Sequence, residues 1–158
     1  MIKGNHQLTN PDEGLLRRAF RSRRGRHQPI LDQLTGRFRA PTAAFEPRFP
    51  DPAKPDRKVD EALSINVESL LSAACLPLTW GADLSKYYVA RVTVADCSAV
   101  SLEAWHSPIL HPEQPENPHH GLIWGLVELH KVDELKYERI VDALSRASTI
   151  VPDSMPQS

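Results

Sequence analysis

The sequence predicts an α+β fold built on a single small mixed sheet, with a C-terminal amphipathic helix and long proline-rich loops. Residues 87–94 alternate between two faces, which is typical of a strand. The apolar run at 121–129 is bounded by turn residues and indicates a buried strand. The segment 133–147 carries one apolar stripe at helical spacing. Predicted strands and helices therefore interleave in one α+β domain.

The first half of the chain predicts short elements. Residues 1–14 are polar and are expected to be a flexible N-terminus, and 15–20 are predicted to form a first strand. Alternation in that strand sends Arg17 and Arg18 to opposite faces. In 29–36, Ile30, Leu31 and Leu34 recur at helix-like spacing, which predicts one or two helical turns. The segment 37–45 is expected to be a compact turn anchored by an aromatic residue near each end.

The middle of the chain alternates loops with short elements. Prolines and charges in 46–60 predict an exposed loop. Residues 63–66 are predicted to be a strand leading into a helix over 67–74, which Pro77 ends. Residues 98–105 fit a short helix and a strand equally well. Four prolines make 106–120 a loop.

The final helix is predicted to begin at Asp133, whose side chain can cap it. Asp142 and Arg146 form a favourable i,i+4 pair on its flank. The residues expected on its buried stripe are Tyr137, Ile140, Val141, Leu144 and Ala147. Residues 152–158 are expected to be a flexible tail, so that 15–151 form the single domain.

Composition narrows the class of protein. The 158 residues are 41% hydrophobic and 25% charged, as in an ordinary soluble protein. Proline accounts for 14 of the 158 residues, a larger share than the usual ~5%. No apolar run approaches the ~20 residues of a bilayer span, and residues 1–10 lack the apolar core of a secretory signal. We therefore expect a cytoplasmic protein without membrane contact. Cys75 and Cys97 are expected to be reduced thiols in the core.

The net charge of −1 hides a division along the chain. Through Lys58 there are 13 Lys and Arg against 6 Asp and Glu; from Val59 there are 6 against 14. The basic excess is concentrated at 17–26, where six of ten residues are arginine: Arg17, Arg18, Arg21, Arg23, Arg24 and Arg26. Guanidinium groups bind phosphate bidentately, so this cluster is a candidate patch for nucleic acid or another anion. The alternative is a solvated loop lying against the acidic part of the same molecule.

Two further segments are candidate binding sites. Arg39 and Thr42 place a basic residue and a hydroxyl in a turn of small residues, an arrangement that can hold an anion. Ser64 follows in the next predicted strand. The alternative to an anion site is a well-packed turn without a ligand. The predicted loop 106–120 is rich in histidine, and we call it the histidine-rich loop. Its last residues, among them Asn117, His119 and His120, lead directly into the predicted buried strand. A histidine there titrates near neutral pH, so we assign His119 as a candidate general base, with Asn117 and His120 as ligand contacts. The alternative is a turn capped by the Asn117 side chain.

No metal or cofactor is expected. The histidine spacing in 106–120 matches no common set of metal ligands, and no Cys-x-x-Cys pair or glycine-rich phosphate loop occurs.

Four of these segments together resemble a family of short, uncharacterised bacterial proteins. They are Leu-Leu-Arg-Arg at 15–18, the segment at 39–45 that follows the pattern Arg-x-Ser/Thr-x-Ala-Ala-Phe with Pro41 where serine is more usual, Leu-Ser-Ile at 63–65 in the place of Leu-Ser-Val/Ile, and Asn-Pro-His at 117–119 in the place of Asn-Pro-x-His. That resemblance covers 15–148 and implies no established activity. A looser fold-level likeness links the chain to ADP-ribosyltransferase-like toxins, which place Arg or His on a first strand and Ser or Tyr on a second. Arg17 or Arg18 and Ser64 fill those places, whereas the acidic third motif is missing.

Three functional hypotheses follow. The leading one is a small bacterial protein that binds a phosphate-bearing ligand (a nucleotide or nucleic acid) or a protein partner through the arginine-rich segment and the Asn117–His120 loop. The second is a small toxin-like transferase or nuclease with His119 as its base. The third is a structural subunit of a larger bacterial complex, such as a phage-defence or toxin-antitoxin assembly.

Overall fold

Residues 3–21, 27–113 and 115–155 are described by the computed structural model, and within them the chain forms nine strands and four helices. The strands are β1 (His6–Gln7), β2 (Gly14–Phe20), β3 (Ile30–Leu31), β4 (Phe38–Arg39), β5 (Leu63–Val67), β6 (Tyr87–Thr93), β7 (Glu103–His106), β8 (His120–Trp124) and β9 (Thr149–Ile150). The helices are α1 (Glu68–Ala73), α2 (Val94–Ser98), α3 (Leu126–Val132) and α4 (Glu134–Ala147). Short 3-10 turns lie at Thr42–Phe45 and Pro152–Ser154.

The main sheet has seven strands in the order β1-β7-β8-β5-β2-β6-β9, and β3 pairs with β4 in a separate two-stranded sheet. Each described strand pairing is antiparallel. The predicted α+β class and its C-terminal helix are confirmed. The longest pairing joins β2 to β6 along the full length of both strands, from Gly14–Thr93 to Phe20–Tyr87. The two strands predicted from residues 15–20 and 87–94 are therefore direct neighbours.

One face of the sheet, here called the core face, carries the main hydrophobic core. Strand residues such as Leu15, Ile65 and Ala90 point into it, and α2, α3, α4 and the turn at Thr42–Phe45 cover it. Phe45 is completely buried there. The helices pack on this side because their apolar stripes and the alternate strand residues remove each other from water.

The opposite face, here called the second face, is only partly covered. Leu16 and Val89 pack with Leu71 and Val151 in a small cluster beneath α1 and the segment that follows it. Beyond that cluster, Arg18 on β2 and Ser64 on β5 are exposed. A sheet whose second face is partly left to solvent is common among antiparallel folds.

Both segments expected to be flexible termini make specific contacts in their described parts. His6 and Gln7 pair with His106 and Trp105 at one edge of the sheet. Ser154 is fully buried, and its hydroxyl accepts a hydrogen bond from the Val89 amide at 2.8 Å. These contacts extend the folded part of the chain on both sides of 15–151.

The prediction of helical turns in 29–36 is wrong. Ile30 and Leu31 pair with Arg39 and Phe38 as a hairpin. Asp32 organises the turn between them: its carboxylate accepts from the Leu34 amide at 2.9 Å and its carbonyl from the Gly36 amide at 2.8 Å. This side-chain bond to the backbone outweighs the helical spacing of three apolar residues. Phe38, expected to be an anchor, is 41% exposed on this hairpin.

The predicted strand at 121–129 is correct only in its first half. β8 ends at Trp124, and α3 begins at Leu126. Gly125 separates the two elements with a φ of 123°, a conformation that side-chain-bearing residues rarely adopt. An apolar run of this length does not by itself distinguish a buried strand from a buried helix.

The predictions for 133–147 and 63–74 are confirmed. The Asp133 side chain accepts from the Lys136 amide at 3.1 Å, and Arg146 pairs with Asp142 at 2.8 Å. Ala147 is exposed instead of buried, and Ser145 takes the buried position near the end of the stripe. The segment 46–60, described throughout, forms neither helix nor strand, as predicted.

Both cysteines are free thiols, but only Cys97 lies in the core. Burial raises the pKa of the Cys97 thiol to about 12. Cys75 is exposed beyond the end of α1 with a φ of 58°, so its expected burial is wrong. Among the helices formed by the described residues, none combines the length and the apolar composition that a bilayer span requires.

Candidate functional site

The candidate site is a row of side chains that crosses the second face. Trp105 on β7 pairs directly with Leu122 on β8, and Leu122 pairs with Ser64 on β5. The β2–β5 register places Arg18 next in the row, two residues beyond the Leu16–Asn66 pair. Since residues that face each other across antiparallel strands lie on the same side of the sheet, these four side chains form one continuous strip.

Ser64 marks the open centre of this row. Its strand lies between β8 and β2, yet its side chain is exposed while its neighbours Leu63 and Ile65 are buried on the core face. The middle strand of a sheet is normally covered on at least one side, and here the second face is the uncovered one. Ser64 therefore lies at the floor of a shallow, solvent-accessible surface.

Arg18 forms one side of that surface. Its guanidinium lies 5.3 Å from the centroid of the Tyr87 ring, a cation–π contact, and Nη1 donates to the Gly81 carbonyl at 3.3 Å. These two contacts orient the side chain, but neither of them neutralises its charge. Arg18 is exposed and keeps donors available for an anion.

The histidine-rich loop is tied to the same face by two asparagines. Asn117 Nδ2 donates to Asn66 Oδ1 at 2.7 Å, and Asn66 Nδ2 donates to the Trp80 carbonyl at 3.3 Å. Asn117 Oδ1 accepts from the His119 amide at 3.0 Å, which is the turn-capping role that its sequence context indicates as an alternative. The His119 carbonyl in turn accepts from the Val67 amide at 2.9 Å. This loop is therefore fixed at its C-terminal end by β5.

His119 and His120 occupy different environments. The His119 ring stands edge-on to Trp80 with ring centroids 5.2 Å apart, and it is partly exposed. His120 Nδ1 donates to the Ser107 carbonyl at 2.8 Å. Burial lowers the pKa of His120 below its usual value, while the hydrogen bond to Ser107 acts in the opposite direction.

Positively charged groups surround His120. Arg18, His106 and Lys58 are each close enough for their positive charge to lower the pKa of His120 further. Lys58 is exposed, and His106 Nε2 donates to the Pro118 carbonyl at 2.9 Å. The groups near His120 that are charged at neutral pH are therefore Arg18 on β2 and Lys58 in the loop 46–60, whereas His106 alternates with Trp105 and belongs to the opposite side of the sheet. Positive charge of this kind attracts anions.

The row ends beside aromatic side chains at the C-terminal end of β2. Phe20 is 54% exposed, and its ring stands edge-on to Tyr87 with centroids 6.3 Å apart and to His27 with centroids 5.7 Å apart. The Tyr88 hydroxyl donates to the His27 carbonyl at 3.1 Å. Phe20 and His27 lie on either side of residues 21–26 in sequence, so their contact brings the two ends of that stretch together.

Three of the residues proposed from the sequence lie on the other side of the sheet. Arg17 Nε donates to the Ala44 carbonyl at 3.0 Å and Nη1 to the Ser64 carbonyl at 2.9 Å, and burial lowers the pKa of Arg17 to about 10. Arg39 donates to the hydroxyl of buried Ser145. Thr42 opens the 3-10 turn that contributes Phe45 to the core. The structure does not bring these three residues together with Arg18.

The basic patch itself is only partly described. Arg21 pairs through its amide with the Lys86 carbonyl at 2.7 Å, and its Nη2 donates to the Ser154 carbonyl at 3.0 Å. Arg23, Arg24 and Arg26 lie outside the described residues. Their proposed role in anion binding stays a prediction from the sequence.

Sequence reasoning missed the residues that complete the site: Lys58, Asn66, Trp80, Trp105 and Leu122. Asn66 could have been predicted from the sequence, because alternation in the predicted strand places it on the same face as Ser64. Trp80 and Lys58 belong to loops and gave no periodic signal. Within residues 3–21, 27–113 and 115–155, no group of three or more His, Cys, Asp or Glu side chains is arranged to hold a metal ion.

The arrangement therefore offers a shallow surface with cationic, aromatic and amide groups and one exposed hydroxyl. No protein-family model matches the chain, and comparison with curated proteins and with solved structures found no match.

Proposed function

We propose that the protein binds a phosphate-bearing ligand, a nucleotide or nucleic acid, on the second face of its sheet. The observation that carries this proposal is the exposed Ser64 at the centre of the sheet, with Arg18 opposite it on β2 and the exposed Lys58 close enough to act on His120 through its charge. A surface of this kind supplies both hydrogen-bond donors and a positive potential to phosphate oxygens.

Support comes also from the rigidity of the groups that surround Ser64. Arg18 is held by Tyr87 and the Gly81 carbonyl, and the Asn117–His120 loop is held by Asn66 and the β5 backbone. Groups held in place before binding lose little conformational entropy when a ligand arrives. In the sequence, the segment 21–26 follows β2 directly and contains four arginines.

Isothermal titration with inorganic polyphosphate and with a (dT)12 oligonucleotide tests the proposal. We expect binding to both, weakened about seven-fold between 50 and 200 mM salt if two phosphates are neutralised. Arg18→Ala and Lys58→Ala are each expected to weaken binding further. Arg146→Ala is the matched control, because Arg146 pairs with Asp142 on α4, against the core face. The proposal is contradicted if the wild-type protein binds neither polyphosphate nor (dT)12, or if Arg18→Ala binds them as tightly as the wild type does.

The alternative activity, a toxin-like transferase or nuclease, depends on His119 as a general base. His119 lies beside the same surface with a partly exposed ring against Trp80. Expression of wild type and His119→Ala in a bacterial host separates binding from catalysis. Equal growth of both strains counts against a toxin, whereas growth arrest relieved by His119→Ala supports it.

A further inference from the structure

We infer that the ligand of the second face is a single-stranded nucleic acid, whose bases stack on Phe20 and whose phosphates contact Arg18. This inference rests on the proposed function and narrows its ligand class. It depends on a feature that the sequence did not show: exposed aromatic surface next to the cations that attract phosphate.

Phe20 offers an exposed aromatic ring close to Arg18. It lies on the second face two residues beyond Arg18, and more than half of its surface is exposed. The Tyr87 ring contacts both Phe20, edge-on with centroids 6.3 Å apart, and the Arg18 guanidinium, 5.3 Å from its centroid. Two aromatic rings and one cation therefore lie together where β2 ends and β6 begins. Single-stranded nucleic acids need this combination, because each nucleotide presents a flat base beside a charged phosphate.

The surface is long enough for more than one nucleotide. From β7, which carries Trp105, to β6, which carries Tyr87 two residues beyond the Val89 partner of Arg18, it crosses four strand spacings, or about 19 Å. Such a distance suits successive nucleotides of a strand, whereas a single nucleotide concentrates its phosphates at one end. Bases stack on side chains only when they are free of a partner strand, so the surface favours single strands over duplex.

Glu103 limits the path at the other end of the row. Its carboxylate accepts from Lys3 Nζ at 2.8 Å and from Trp105 Nε1 at 3.1 Å, so it places negative charge beside Trp105. Phosphates are therefore expected to run along the β5 and β2 side of the row, beside Arg18. Trp105 remains available for apolar contact only.

Fluorescence anisotropy with 5′-labelled (dT)12 tests the inference, with unlabelled (dT)12, the matching 12-base-pair duplex and inorganic polyphosphate as competitors. Phe20→Ala is expected to weaken (dT)12 binding about 5- to 150-fold, the range for loss of one stacked base, and to leave polyphosphate binding unchanged. Phe20→Trp is expected to retain (dT)12 binding. Phe38→Ala is the matched control, because Phe38 is an exposed phenylalanine of the separate hairpin.

The outcomes separate the two proposals. If polyphosphate competes as well as (dT)12 and Phe20→Ala weakens neither, the inference is overturned and phosphate binding stands. If the duplex competes as well as the single strand, the inference is also overturned. If wild type binds none of the probes, both proposals fail. A thermal melt of each variant shows that it is folded, and Phe20→Trp keeps the test decisive should Phe20→Ala unfold.

Discussion

Asn117 donates a hydrogen bond from its side-chain amide to the side-chain oxygen of Asn66 at 2.7 Å, and this bond fastens the histidine-rich loop to a central strand. The two residues are 51 positions apart in sequence. Asn117 also caps the following turn through the His119 amide. One side chain thus fixes both the shape of the loop and its place on the second face.

Asn117→Ala is expected to destabilise the protein by about 1–3 kcal/mol, because it removes two hydrogen bonds and leaves the partly buried Asn66 oxygen without its donor. Urea denaturation measures this difference. Asn10→Ala is the matched control, since Asn10 makes the same kind of turn bond, to the Asp12 amide, at an exposed position. Equal losses in the two variants would show that the bond to Asn66 contributes nothing.

Arg17 and Arg18 are expected to differ sharply although they are neighbours in sequence. Arg17→Ala leaves the Ala44 and Ser64 carbonyls without their charged donor, so we expect a loss of about 1.5–3 kcal/mol in the free energy of unfolding. Arg18→Ala is expected to cost less than about 1 kcal/mol, because Arg18 is exposed. Denaturation and titration of both variants check this division; similar stability losses would contradict it.

His120 is expected to make the protein less stable in mild acid. Its folded-state pKa is lowered by burial, with Arg18, His106 and Lys58 acting in the same direction, so the unfolded chain binds a proton first as the pH falls below about 6.5. Stability therefore falls with pH from about 6.5 down to the folded-state pKa. Denaturation measured at several values between pH 5 and 8 should show that the free energy of unfolding depends less on pH in His120→Gln than in the wild type. His111→Gln, which removes an exposed histidine of the same loop, should retain the wild-type slope.

Gly125→Ala is expected to cost more than an ordinary glycine substitution. Gly125 has a φ of 123°, and an added Cβ would approach Leu102 Cδ2 to 2.8 Å. We expect a loss of about 1–3 kcal/mol from backbone strain, with additional repacking around Leu102. Gly36→Ala is the control, because a Cβ there meets nothing within 4 Å although φ is 70°. A smaller loss for Gly125→Ala than for Gly36→Ala would show that Leu102 yields freely.

The arginines at 23, 24 and 26 are expected to act through charge alone. Replacing all three with glutamine should reduce the slope of log affinity against log salt for (dT)12 by about 0.7 for each phosphate that the variant no longer neutralises. Stability should stay close to that of wild type. An unchanged slope, measured by anisotropy over 50–200 mM salt, would remove this segment from the proposed interface.

Local sequence patterns determined the elements whose stabilising interactions are close in sequence. The final helix followed from its stripe and from the Asp133 cap, and strand β6 followed from alternation between two faces, whereas β2 was expected from a short apolar and basic run. Alternation along β2 separated Arg17 from Arg18. Where a local side chain or backbone constraint opposed the periodic signal, as at Asp32 and Gly125, the periodic signal gave the wrong element.

The tertiary structure alone decided which of the candidate residues lie together. Arg18, Ser64 and Asn117–His120 meet because the strand order β8-β5-β2 places distant segments side by side, and no local signal encodes that order. The same pairing places Tyr87 opposite Phe20, the aromatic residue within the basic segment at 17–26. Strand pairing is selected by the burial of a shared core across the whole chain. For that reason the sequence predicted the candidate groups, and only the sheet showed which of them form one surface.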